Sequence, residues 1–145
     1  MIILKSNIDV LSSILKTTQM GQIGIRAVID KATKPELKNA LKSQLTEYDG
    51  IEREAHAIAV RNDWKIKELD PSVKAMATMY AKMNLTYGYV DSKIAAMMIQ
   101  GNTRGMIKGL KNSHHVKNGD HSVLALSQKL LDCEKENIQQ MQGYV

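Results

Sequence analysis

The sequence predicts an all-α domain built as a four-helix bundle. Three observations lead there. Long stretches space their apolar residues alternately by three and four, the period of a helix with one buried face. Pro occurs only twice and Phe not at all in 145 residues, whereas Met occurs nine times. Aromatic residues make up 4%, far from the composition of a β-sandwich or barrel. With 43% hydrophobic residues the chain can bury a core, and its length fits one domain, 1–145.

The first helix is expected from near Asn7 to Lys31. Ser6-Asn7-Ile8-Asp9 reads as a capping box with Asp in place of Glu. Leu4, Ile8, Leu11, Leu15, Thr18, Gln22, Ile25 and Ile29 form its stripe, with Thr18 and Gln22 as mid-helix polar members. Thr33-Lys34-Pro35-Glu36 stops one helix and starts the next, because Pro in a first turn loses no bonded N–H. The second helix runs to about Asn62 on Leu37, Leu41, Leu45, Tyr48, Glu52, Ala55 and Ala59. The short connection makes these two helices antiparallel neighbours.

Asn62 to Asp70 is a connector holding the only Trp, Trp64, which with Ile66 and Leu69 is expected to pack on one end of the domain. Extended, it spans about 25–30 Å, long enough for much of a crossover. Asp70-Pro71-Ser72 opens the third helix, with Asp as N-cap and Pro at the first position. Its stripe is Val73, Met76, Tyr80, Met83, Tyr87, Val90, Ile94, Met97 and Gly101. Unbroken to Asn112 it would reach about 60 Å, well beyond its neighbours. A kink or break near Gly88 is therefore expected, leaving a shorter helix before it. The alternative is a straight helix whose overhang packs in a dimer. His114 to Gly119 is a turn, and Asp120 caps a last helix to about Gln142 on Val123, Leu126, Leu130, Cys133, Asn137 and Met141.

Polar residues recur at mid-helix height. A buried layer of Thr18, Gln22, Tyr48 and Gln100 is expected, with Glu52, Glu134 and Asn137 beside it. Tyr80 or Tyr87 could join. Such a layer could be a closed hydrogen-bond network that fixes helix register, or the remnant of a metal site. Four helices with a mid-height polar layer resemble the ferritin-like superfamily, and more narrowly its small bacterial four-helix-bundle proteins of unassigned function. Ser92-Lys93-Ile94-Ala95-Ala96-Met97-Met98-Ile99-Gln100-Gly101 carries most of that resemblance. The metal-binding members place a Glu on each of two helices and Glu-x-x-His on the other two. Here the first helix offers Gln19 or Gln22, the second Glu52 and His56 four apart, the third Gln100, and the last Glu134 with Asn137 where His would stand. Amides cannot offset the charge of two metal ions.

The leading functional expectation is a non-catalytic ferritin-like bundle acting through self-association or protein binding, with no cofactor. The alternative is a degenerate site of Glu52, His56, Glu134 and Asn137 holding iron or manganese, with a redox or storage role. A second alternative is an anionic-ligand patch of Arg104, Lys108, Lys111 and Lys117, the most basic stretch of a chain with net charge +5. No aromatics interleave there, so nucleic acid is not the favoured partner. His114, His115, Asp120 and His121 match no zinc spacing well and read as an exposed turn. Cys133 reads as a small buried hydrophobe. Gly101, Gly105 and Gly109 line one helix face, from close packing (with Gly21 and Gly24 as counterparts) or from a frayed end. The short N-terminal apolar run, the single Cys and the absence of a membrane-length stretch lead to an expectation of a cytoplasmic protein without membrane contact.

Overall fold

A computed structural model describes residues 4–83, 85 and 88–145. They are all-helical, in five helices: α1 Asn7–Val28, α2 Pro35–Arg61, α3 Pro71–Met83, α4 Val90–His115 and α5 His121–Gln142. No helix among the described residues is long and apolar enough to cross a membrane. The first helix ends earlier than its stripe suggests, since Ile29–Lys31 tightens into a 3₁₀ turn before Pro35. Its stripe is also frayed at the start, where Leu4 and Ile8 are exposed.

The caps follow from local chemistry. Ser6 accepts from the Asp9 N–H at 3.1 Å while Asp9 accepts from the Ser6 N–H at 3.2 Å, closing the capping box. Pro35 starts α2. Asp70 accepts from the Ser72 N–H and hydroxyl, and Asp120 accepts from the Ser122 N–H. Each satisfies a helix-end donor that would otherwise lack a partner.

Two sets of bonds fix the helix directions. At one end, the Asp91 carboxylate of α4 accepts from the Thr33 N–H (2.7 Å), the Thr33 hydroxyl (2.8 Å) and the Lys34 N–H (3.0 Å) at the start of α2. α2 and α4 therefore start together and run parallel. At the other end, the Lys5 N–H donates to the His115 carbonyl and the Lys117 N–H to the Lys5 carbonyl. Asn7 also accepts from the Asp120 N–H at 2.8 Å. So α1 begins where α4 ends and α5 begins. Each of α1 and α5 packs against both α2 and α4.

The chain must cross the full length of the molecule between α2 and α4. The connector does this along α1, where the Lys67 N–H donates to Ser12 and the Leu69 N–H to Gln19. Trp64 and Ile66 pack against the core on this path. α3 continues along α1.

The expected third helix is broken. Gly88 has φ +60 and Tyr89 φ 51, so the chain turns through the left-handed region just before α4. Tyr87 and the side chain of Met83 lie outside the described residues. The break resets the helical phase on both sides. On α3, Val73, Met76 and Tyr80 face outward, and the half-buried or buried positions are Lys74, Ala77, Thr78 and Ala81. On α4, Ile94 of the expected stripe is buried, but Gly101 is exposed, and the other inward positions are Ala95, Asn102, Gly105 and Asn112. The stripe drawn continuously from Val73 to Gly101 is thus corrected at both ends. Small residues let α3 and α4 approach their neighbours, and hydropathy alone does not mark such positions.

The Asp91 carboxylate opposes its own burial, but its bonds from Thr33 and Lys34 hold its pKa below the ordinary value. Replacing it with Ala should cost about 1–3 kcal/mol at pH 7 by chemical denaturation. That penalty should shrink as pH falls through the lowered pKa, where wild-type Asp91 becomes protonated and loses the same stabilisation.

Candidate functional site

The centre of the molecule is polar. Tyr48 lies mid-way along α2 and is 2% exposed. Its ring rests where a Cβ on Gly21 of α1 would come within 2.6 Å, so only Gly fits beneath it. Its hydroxyl lies 2.8 Å from Asn102 Oδ1 on α4 and 2.8 Å from Glu134 Oε1 on α5. Asn137 Nδ2 approaches the same hydroxyl at 3.5 Å. One phenol thus joins three helices and sits against a fourth.

Glu134 is 1% exposed. Its carboxyl lies over Gly105, where an added Cβ would stand 3.1 Å from Glu134 Cδ. Burial raises its pKa to about 8, only partly offset by the bond from Tyr48. Burial, and then the charge of Glu134, also raise the pKa of Tyr48 well above the ordinary value. Tyr48 has one hydroxyl hydrogen and faces two acceptor oxygens. A neutral Glu134 resolves this: its carboxyl proton is donated to Tyr48, and Tyr48 donates to Asn102. Two atoms remain without a partner, Glu134 Oε2 and Asn102 Nδ2.

The other expected layer residues sit around this core. Thr18 is buried and donates to the Leu15 carbonyl of its own helix. Gln22 is buried and donates to Glu52 at 3.2 Å. Gln100 is exposed, and this expectation is corrected: on α4 the inward amide is Asn102, two residues on. Tyr80 is also exposed. Cys133 donates to Glu47 at 3.0 Å, and burial followed by that carboxylate push its thiol pKa far up, which leaves it a poor nucleophile.

The four residues considered for metal do not converge. Glu134 and Asn137 meet at Tyr48. Glu52 is half-buried and bound to Gln22, while His56 is exposed and lies 3.8 Å from Glu68. No three His, Cys, Asp or Glu side chains among the described residues form a metal-holding group, the His114 to His121 turn included. There Asp120 serves as a helix cap. Arg104, Lys108 and Lys111 are exposed on α4 at spacings of four and three, hence on one face, and Lys117 is exposed beyond its end. A shallow open trough lies beside the connector, lined by Lys16, Lys67, Glu68, Asp70, Val73 and Lys74.

Sequence reasoning missed Asn102, Glu47 and the pair Gln44–Gln140, bonded at 2.9 Å. A signal for Asn102 was present. Asn102, Gly105, Gly109 and Asn112 keep spacings of three and four, and Gly105 and Gly109 receive Glu134 and Leu131 of α5. Comparison with protein-family models, curated proteins and solved structures finds no match to this chain.

Glu134 links stability to pH. Its folded pKa, about 8, exceeds the ordinary 4.5, so the folded chain keeps a proton that the unfolded chain releases. The contribution of Glu134 to stability is therefore fully present below about pH 4.5 and is lost as pH rises to about 8, by at most about 5 kcal/mol. Glu134→Gln, which also donates to Tyr48, should match wild type near pH 5 and exceed it at pH 9 in denaturant melts. The glycines provide a second contrast. Gly21→Ala should destabilise by about 1–3 kcal/mol through the Tyr48 ring. Gly101→Ala, with nothing within 4 Å of its added Cβ, should stabilise by about 0.5–1 kcal/mol.

Proposed function

We propose that this chain is a ferritin-like four-helix bundle without a catalytic role, acting by association with itself or with another protein. Two features support the reading. The long helices α1, α2, α4 and α5 form two antiparallel pairs joined by a long crossover between α2 and α4, an arrangement found in ferritin-like bundles. The observation that carries the non-catalytic part is the position of Tyr48. Its hydroxyl occupies the centre, where inward ligands would otherwise meet, and ties Asn102, Glu134 and Asn137 to one another. A carboxyl held neutral is also a weak cation ligand.

One observation favours the metal alternative. Glu134 Oε2 and the Asn102 amide nitrogen are buried without partners, and a turned Asn102 amide would replace that nitrogen with a second unpartnered oxygen. A bound iron or manganese would there rest on Glu134 with neutral ligands, not on Glu52 or His56. The basic face of Arg104, Lys108 and Lys111 supports the anionic-ligand alternative only through its exposure.

Metal uptake separates the readings. After incubation with Fe²⁺ or Mn²⁺ and desalting, elemental analysis should find far less than one ion per chain. Stoichiometric metal that is lost in Glu134→Ala and kept in Glu52→Ala would overturn the non-catalytic reading in favour of a Glu134-centred metal site.

A further inference from the structure

Amphipathic helices normally turn their apolar stripe inward. α3 does the reverse. Its inner positions are Lys74, Ala77, Thr78 and Ala81, while Val73 (38% exposed), Met76 (72%) and Met79 (64%) face solvent, with Tyr80 also exposed. At 100° per residue these four outer side chains share one side of the helix, over about 10 Å of its length. α3 is packed against α1, so this stripe forms a ridge on the outside of the molecule. No acidic residue lies within Pro71–Met83. Lys82 leaves from one flank of the ridge and Lys74 from the opposite, inner side of the helix, so neither stands on the crest, by the same helical spacing.

We infer that this ridge pairs with the same ridge of a second copy, α3 against α3 about a two-fold axis near Met76. This rests on the association reading above and names its surface and partner. Three features favour a second copy. The crest is uncharged, so two copies close over it without burying a charge. Its exposed side chains offer roughly 400–500 Å² per copy, taking about 150–250 Å² for a large side chain. Doubled, that is roughly 800–1,000 Å², at or just below the lower limit for a specific interface. The antiparallel pairing is also self-complementary: Met76 meets Met76 of the second copy, and Met79 falls beside Val73 of the second copy. Unbranched Met adapts to such a contact without a preformed groove. The small area implies a weak, reversible dimer, not an obligate one.

The test is sedimentation equilibrium of the full chain from about 10 μM to 1 mM, a range set for a weak interface. The wild type should shift from monomer toward dimer across that range. Met76→Glu, which sets two carboxylates together at the axis, should raise the dissociation constant at least tenfold. Its melting temperature should hold, because Met76 is largely exposed. Met79→Glu is the second variant and should act in the same direction. A wild type that stays monomeric at about 1 mM overturns the pairing. So does a dimer that persists unchanged in both variants. Dimer formation and metal uptake are read separately, so loss of the α3 pairing leaves the test of the broader reading intact.

Discussion

A single phenol hydroxyl organises the centre of this molecule. Tyr48 reaches from α2 to Asn102 on α4 and Glu134 on α5, with its ring seated on Gly21 of α1. Apolar packing by Leu11, Leu15, Leu37, Leu41, Leu126 and Leu130 excludes water, but such contacts tolerate sliding. A buried hydroxyl with fixed partners does not, because a shift of one helix would leave several polar groups unpaired at about 1–3 kcal/mol each. Glu134 can join this centre because burial holds it neutral. An ionised carboxylate there would need a cation beside it.

The second organising feature is the return path between α2 and α4. Asp91 fastens the start of α4 to the start of α2, and Asn7 with Lys5 fastens the start of α1 to the α4–α5 turn. With both ends fixed, the connector and α3 must travel back along α1. Among the described side chains of α3, that route covers Lys74, Ala77, Thr78 and Ala81 and leaves Val73, Met76 and Met79 outside. The centre is closed by its own hydrogen bonds while the outward face of α3 is exposed, and the proposed role is placed at the surface for that reason.

Much of this was legible in the sequence. Ser6, Pro35, Asp70 and Asp120 mark helix starts because a cap is a local bond between near neighbours. The break at Gly88 could be read from length, since the unbroken helix would overshoot the others. The phase of the later part of α4 could not be read by hydropathy, because beyond Ile94 and Ala95 its inner face is built from Asn102, Gly105, Gly109 and Asn112, which score as surface or loop. Gln100, level with Glu134 and next to Gly101 on the stripe carried across the break, therefore reads as the inward amide in place of Asn102. The orientation of α3 was hidden for a related reason: its apolar stripe is real but faces away from the core. The partners of Tyr48 are 54 to 89 residues away, and no local pattern encodes such pairings.

The central claim is that Glu134 stays neutral in the folded protein and donates to Tyr48. The most direct measurement is the carboxyl ¹³C chemical shift of Glu134 followed through a pH titration, with Glu134→Gln to assign the signal. The account predicts a protonated shift at pH 6 and a midpoint near the value of about 8 set by burial. A Glu134 signal that titrates at or below the ordinary 4.5 would contradict it. The centre would then hold a charge, and the closed network would have to give way to a site that binds a cation.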